Sequence, residues 1–77
     1  MKVSIYGENK VMGLAERYDG VDMSIVTIKE THKRNGRTVT DVRIARGKRD
    51  IVLSDGMYKT LTVQDEETGR YLLKISR

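Results

Sequence analysis

The chain has no cysteine, proline, tryptophan or phenylalanine, and His32 is its single histidine. Without cysteine there is no disulfide framework, no thiolate nucleophile and no Cys-based zinc or iron–sulfur site. Without proline, turns must come from the seven glycines and their Asn and Asp neighbours. Alanine is nearly absent as well, at Ala15 and Ala45 only. No stretch approaches the ~18–20 apolar residues of a membrane-spanning helix. The opening MKVSIYGENK lacks the apolar run of a secretory signal, so a cytoplasmic protein with no membrane partner is expected.

Eight Val, six Ile and seven Thr stand in place of the missing alanine. β-branched side chains lose rotamer freedom in a helix and pack well on a pleated sheet, so the composition points to an all-β protein. At 77 residues the chain makes one small domain over 1–77. A domain of this size buries only about 60 % of its unfolded surface, which leaves little core for a deep pocket.

Alternation of period two is the main pattern. Residues 2–6 read as a short strand with Val3 and Ile5 on one face. The C-terminal two-thirds reads as a five-stranded meander with turns at Arg34-Asn35-Gly36, Gly47-Lys48, Ser54-Asp55-Gly56 and Thr68-Gly69. Register can be tested, because a one-residue slip sends every side chain to the other face. A type I turn over Arg34-Asn35 with left-handed Gly36 sets Ile28 opposite Val42, Val26 opposite Ile44 and Lys29 opposite Asp41. A type II′ turn at Gly47-Lys48 sets Ile44 opposite Ile51 and Val42 opposite Leu53. With Glu67-Thr68-Gly69 as the last loop, Val63 meets Leu73, Leu61 meets Ile75, Thr62 meets Lys74 and Glu66 meets Arg70. One face thus collects Val26, Ile28, Val42, Ile44, Ile51, Leu53, Leu61, Val63, Tyr71, Leu73 and Ile75. Independent hairpins agreeing on one apolar face is the consistency expected of a specified fold.

Residues 10–18 carry two readings. Val11, Leu14, Ala15 and Tyr18 fall at helical spacing, with Asn9 and Gly20 as caps. Alternatively the segment is a strand turning at Tyr18-Asp19-Gly20, with Ala15 opposite Met23. The apolar phase flips between Ile25 and Val26, which calls for a bulge or bend there. The simplest way to bury one apolar face with so few residues is a small open barrel, SH3-like or OB-like in size. The chain carries the signature of neither family.

The formal charge is +4, and it is unevenly distributed. Residues 29–49 hold eight basic side chains, Lys29, Lys33, Arg34, Arg37, Arg43, Arg46, Lys48 and Arg49, against two acids, Glu30 and Asp41. The stretch is therefore +6 and the rest of the chain −2. In the bulged register Lys29, Lys33, Arg37 and Arg43 point away from the core, Arg34 sits in the loop, and Arg46, Lys48 and Arg49 cluster at the far end of the strand. Arg37 and Arg46 are about 30 Å apart at ~3.3 Å per residue, long enough to meet several phosphates. Residues 29–41 show no face apolar enough for a core and read as a projecting β-hairpin with a basic tip.

This pattern leads to the expectation of a small basic module that binds RNA or DNA through backbone phosphates, with the eight basic residues as contacts and Tyr58, placed on the outer face, as the stacking ring. The plainer reading is that lysine and arginine keep a small sheet soluble and guard its edges. A different class of function is a protein-interaction module: a small regulator, inhibitor or assembly component, of the kind phages and mobile elements encode. Such a module would take an acidic protein surface or form a homo-oligomer through sheet edges.

Catalysis is not expected. His32 lies on a polar ribbon with no identifiable carboxylate partner, the serines belong to no nucleophile motif, and phosphate-loop and dinucleotide glycine patterns are missing. No cofactor or metal is expected either. Asp65-Glu66-Glu67 alternates sides along a strand and reads as a solvated turn, with Glu66 pairing Arg70.

Overall fold

The computed structural model describes residues 1–11 and 13–76. The protein is all-β and antiparallel: β1 (Lys2–Asn9), β2 (Ala15–Asp22), β3 (Val26–His32), β4 (Thr38–Arg46), β5 (Arg49–Ser54), β6 (Tyr58–Asp65) and β7 (Tyr71–Ser76). A 3-10 turn, Met23–Ile25, joins β2 to β3. The strands form a four-stranded sheet in the order β2-β1-β6-β7 and a three-stranded sheet in the order β3-β4-β5. Among the described residues no strand pairing closes the two into a barrel.

The core lies between the sheets. Val3, Ile5, Leu61 and Val63 from the first and Val42, Ile44 and Leu53 from the second are fully buried, with Val21, Val26 and Tyr58 completing the cluster. Ile28, Ile51, Leu73 and Ile75 pack against it. All the expected core positions are therefore present except Tyr71. The phase flip at Ile25/Val26 is the 3-10 turn, where the Asp22 carboxylate accepts from the Ser24 N–H at 3.0 Å as the chain crosses between sheets.

Local hairpins match the sequence register. Val26↔Ile44, Ile28↔Val42 and Lys29↔Asp41 pair as expected, and the β3–β4 hairpin continues to His32↔Thr38. Ile44↔Ile51 and Val42↔Leu53 pair across the second turn. Gly36 (φ 81°) and Gly47 (φ 57°) hold the left-handed conformations that the bulged loop and the type II′ turn require. The β6–β7 pairs Val63↔Leu73, Leu61↔Ile75 and Thr62↔Lys74 also hold.

Four expectations need correction. The five-strand meander breaks after β5, because residues 55–57 carry the chain to the other sheet. The described part of 10–18 contains no helix; Met12 is outside the described residues. The hairpin turn precedes Ala15, with the Asn9 N–H donating to the Leu14 carbonyl at 2.9 Å. Tyr18-Asp19-Gly20 is no turn but lies within β2, where Asp19 and Gly20 bulge opposite Ser4 between Val3↔Val21 and Ile5↔Tyr18. Glu66 does not pair Arg70: Asp65 does, through its N–H to the Arg70 carbonyl at 2.8 Å, and β7 then slips by one at Leu72. Glu66 instead accepts from the Ser4 hydroxyl and from the Gly20 N–H, both at 2.7 Å, and so fastens the bulge of edge strand β2.

Candidate nucleic-acid interface

The basic stretch is the β3–β4 hairpin and the β4–β5 turn. β5 pairs with β4 only as far as Asp41↔Ser54, so the last three rungs, Glu30↔Thr40, Thr31↔Val39 and His32↔Thr38, extend past it as a two-stranded ribbon. The base of this ribbon is better covered than its sequence implies. The Asp55 N–H donates to the Thr40 carbonyl at 2.8 Å, and Thr40 is 5 % exposed.

The tip is exposed at 32–37. Its backbone is held by Lys33 N–H to Arg37 O (2.7 Å), Gly36 N–H to Lys33 O (3.0 Å) and Arg37 N–H to the Asn35 side-chain oxygen (3.0 Å). His32 Nδ1 lies 3.1 Å from the Thr38 hydroxyl oxygen, which gives that ring nitrogen a partner within the ribbon. Lys33, Arg34 and Arg37 therefore stand on an ordered loop, and among the described residues none is ion-paired to a carboxylate.

The middle of the outer face is charge-mixed. Asp41 lies between Lys29 on β3 and Ser54 on β5, and its Oδ1 is buried without a hydrogen-bond partner among the described residues. Arg43 points outward as expected, yet Asp50 sits 3.2 Å from its guanidinium. Lys29, Asp41, Arg43 and Thr27 line a shallow depression of about 320 Å³. Arg46, at the far end of β4, does not join a free cluster: its guanidinium lies over the Tyr18 ring, 5.9 Å from the centroid. Lys48 and Arg49 are exposed at the turn. The continuous basic strip thus resolves into two poles separated by a partly neutralised centre.

Tyr58 is not on the outer face. It is 7 % exposed and turned into the core. The cause is an irregularity in the β1–β6 ladder: Glu8 pairs Thr60 but Asn9 pairs Tyr58, so Lys59 is skipped and the parity of β6 changes. The phenol donates to Glu16 Oε2 at 3.1 Å, and Tyr18 reaches the same oxygen at 3.5 Å. Burial, then the Glu16 carboxylate, raises the ionisation of both phenols above the ordinary tyrosine range.

No family model, curated protein or solved structure matches this chain.

Tyr71 is exposed and Tyr6 half-buried, and both lie on the outer face of the four-stranded sheet. Tyr6 alternates with Val3 and Ile5 and was legible as outward. Tyr71 reaches that face only because Leu72 bulges, which no local residue pattern announces. No group of three His, Asp or Glu gathers to hold a metal, and no helix is long and apolar enough to cross a membrane, among the described residues.

Proposed function

We propose that the protein is a non-catalytic nucleic-acid-binding module that grips backbone phosphates with the β3–β4 hairpin. The observation that carries this reading is the tip: Lys33, Arg34 and Arg37 project beyond β5 on a hydrogen-bonded loop, with no ion-paired carboxylate among the described residues. Charges so placed release counterions when they meet phosphates, which supplies affinity with little base preference. Lys48 and Arg49 at the opposite pole add a second contact along the same strand direction.

The test is a salt titration of binding to a labelled DNA duplex, after nuclease treatment of the purified protein. Affinity should fall steeply with salt, and the triple change Lys33→Ala, Arg34→Ala, Arg37→Ala should abolish most of it while circular dichroism stays unchanged. Salt-independent binding, or full binding by the folded triple variant, overturns the reading.

A further inference from the structure

We propose that the outer face of the four-stranded sheet is a second binding surface, one that takes the unpaired bases of single-stranded nucleic acid. It does not rest on the hairpin, which belongs to the other sheet.

Strand alternation brings Tyr6, Thr62 and Lys74 into one row across β1, β6 and β7, and Gln64 and Tyr71 into the neighbouring row. Arg17 on β2 is the cross-strand partner of Tyr6. Together with Ser4, Thr60 and Ser76 these residues line a shallow depression of about 250 Å³. None of the lining residues is a carboxylate. The Arg17 guanidinium lies 5.3 Å from the Tyr6 centroid, and Lys74 Nζ lies 4.8 Å from the Tyr71 centroid. Tyr71 is 44 % exposed.

Each ring is therefore paired with a cation on the surface of a sheet, and this pairing selects the ligand class. A phosphate-only anion would gain nothing from two tyrosine rings. An apolar ligand would need a deeper, drier cleft than this open face. A nucleotide presents both features at once: a π-face for the ring and a phosphate for the cation beside it. Tyr6 and Tyr71 are two strand spacings and two residues apart, roughly 12 Å between Cα atoms at ~4.8 Å and ~3.4 Å per step, so each ring offers a base its own platform. The Thr60, Thr62 and Ser76 hydroxyls between and beside them can meet base edges. Each cation lies over its ring, so a base stacks by displacing it toward the adjoining phosphate. The Arg17–Asp19 pair, 3.5 Å apart, has both side chains about 60 % exposed, and such pairs contribute little.

The experiment compares a fluorescently labelled oligothymidylate with an abasic strand of equal length, which keeps the phosphates and lacks the bases. The wild-type protein should bind the intact strand roughly tenfold or more tightly. Tyr6→Ala with Tyr71→Ala should erase that difference and leave abasic binding in place, while Tyr71→Phe, which keeps the ring, should retain it. Tyrosine emission should be quenched by the intact strand only. Equal affinity of the wild type for both strands, or an undiminished base effect in the double alanine variant, overturns the proposal. The hairpin triple variant, titrated with duplex, reports on phosphate gripping alone, so either reading can fail without the other.

Discussion

The Tyr58 hydroxyl donates to the Glu16 carboxylate at 3.1 Å across 42 positions of chain, and it reaches there by crossing over Gly7. Tyr58 is on β6 and Glu16 on β2, with β1 between them. A Cβ on Gly7 would lie 2.8 Å from Tyr58 Cδ2 and 2.8 Å from Leu53 Cδ2. The missing side chain is what lets a tyrosine span three strands.

Gly7→Ala should therefore destabilise the protein by about 1–3 kcal/mol, because the contacting atoms belong to packed core side chains. Urea denaturation followed by circular dichroism measures it. An unchanged midpoint would show that the ring is free to move aside.

Tyr58→Phe should cost about 1 kcal/mol through the lost hydrogen bond to Glu16. It should also change the alkaline limb. Burial and Glu16 raise the folded-state ionisation of this phenol above its unfolded value near ~10. Its contribution is thus complete below pH ~10 and is lost as pH rises through the folded value. The decline in stability above pH ~10 should be shallower in Tyr58→Phe, with Tyr18 accounting for part of the remainder.

On the acid side, the Ser24 backbone N–H lowers the ionisation of Asp22, and the Glu67 backbone N–H lowers that of Asp65. Both carboxylates are exposed, so the effect is modest. Its sign is fixed: the contribution is present above the unfolded value of ~3.9 and is lost as pH falls through the depressed folded values. Asp22→Asn with Asp65→Asn should flatten the acid limb of the denaturation midpoint measured below pH ~4.

Glu66→Ala should cost about 1–2 kcal/mol, since it removes an acceptor from both Ser4 and Gly20. Arg70→Ala should stay within about 0.5 kcal/mol. Comparable losses from the two changes in thermal melts would restore the Glu66–Arg70 pairing that the turn sequence suggests.

The hairpins were legible because each register is set by a short turn with its own chemistry. Arg34-Asn35-Gly36 and Gly47-Lys48 fix their flanking pairs regardless of what lies elsewhere. What the alternation could not reveal is where the ladder skips a residue. The skips at Lys59 and Leu72 each reverse the parity of a strand end, and they exchange the two tyrosines: Tyr58, expected outside, is buried, and Tyr71, expected inside, is exposed. The β4–β5 register read from the sequence already sets Asp50 diagonally beside Arg43, whereas the contact of Arg46 with Tyr18 joins the two sheets and no local pattern encodes it. The division into two sheets was hidden for the same reason, since the Ser54-Asp55-Gly56 turn looks alike whether it returns a strand beside its predecessor or sends it across the core.

β5 ends at Ser54, three rungs short of the hairpin tip. Beyond the buried Thr40 rung the ribbon has no β5 partner, so fewer backbone hydrogen bonds hold it there than hold the rest of β4. Its amides should be the first of β3 and β4 to exchange with deuterium.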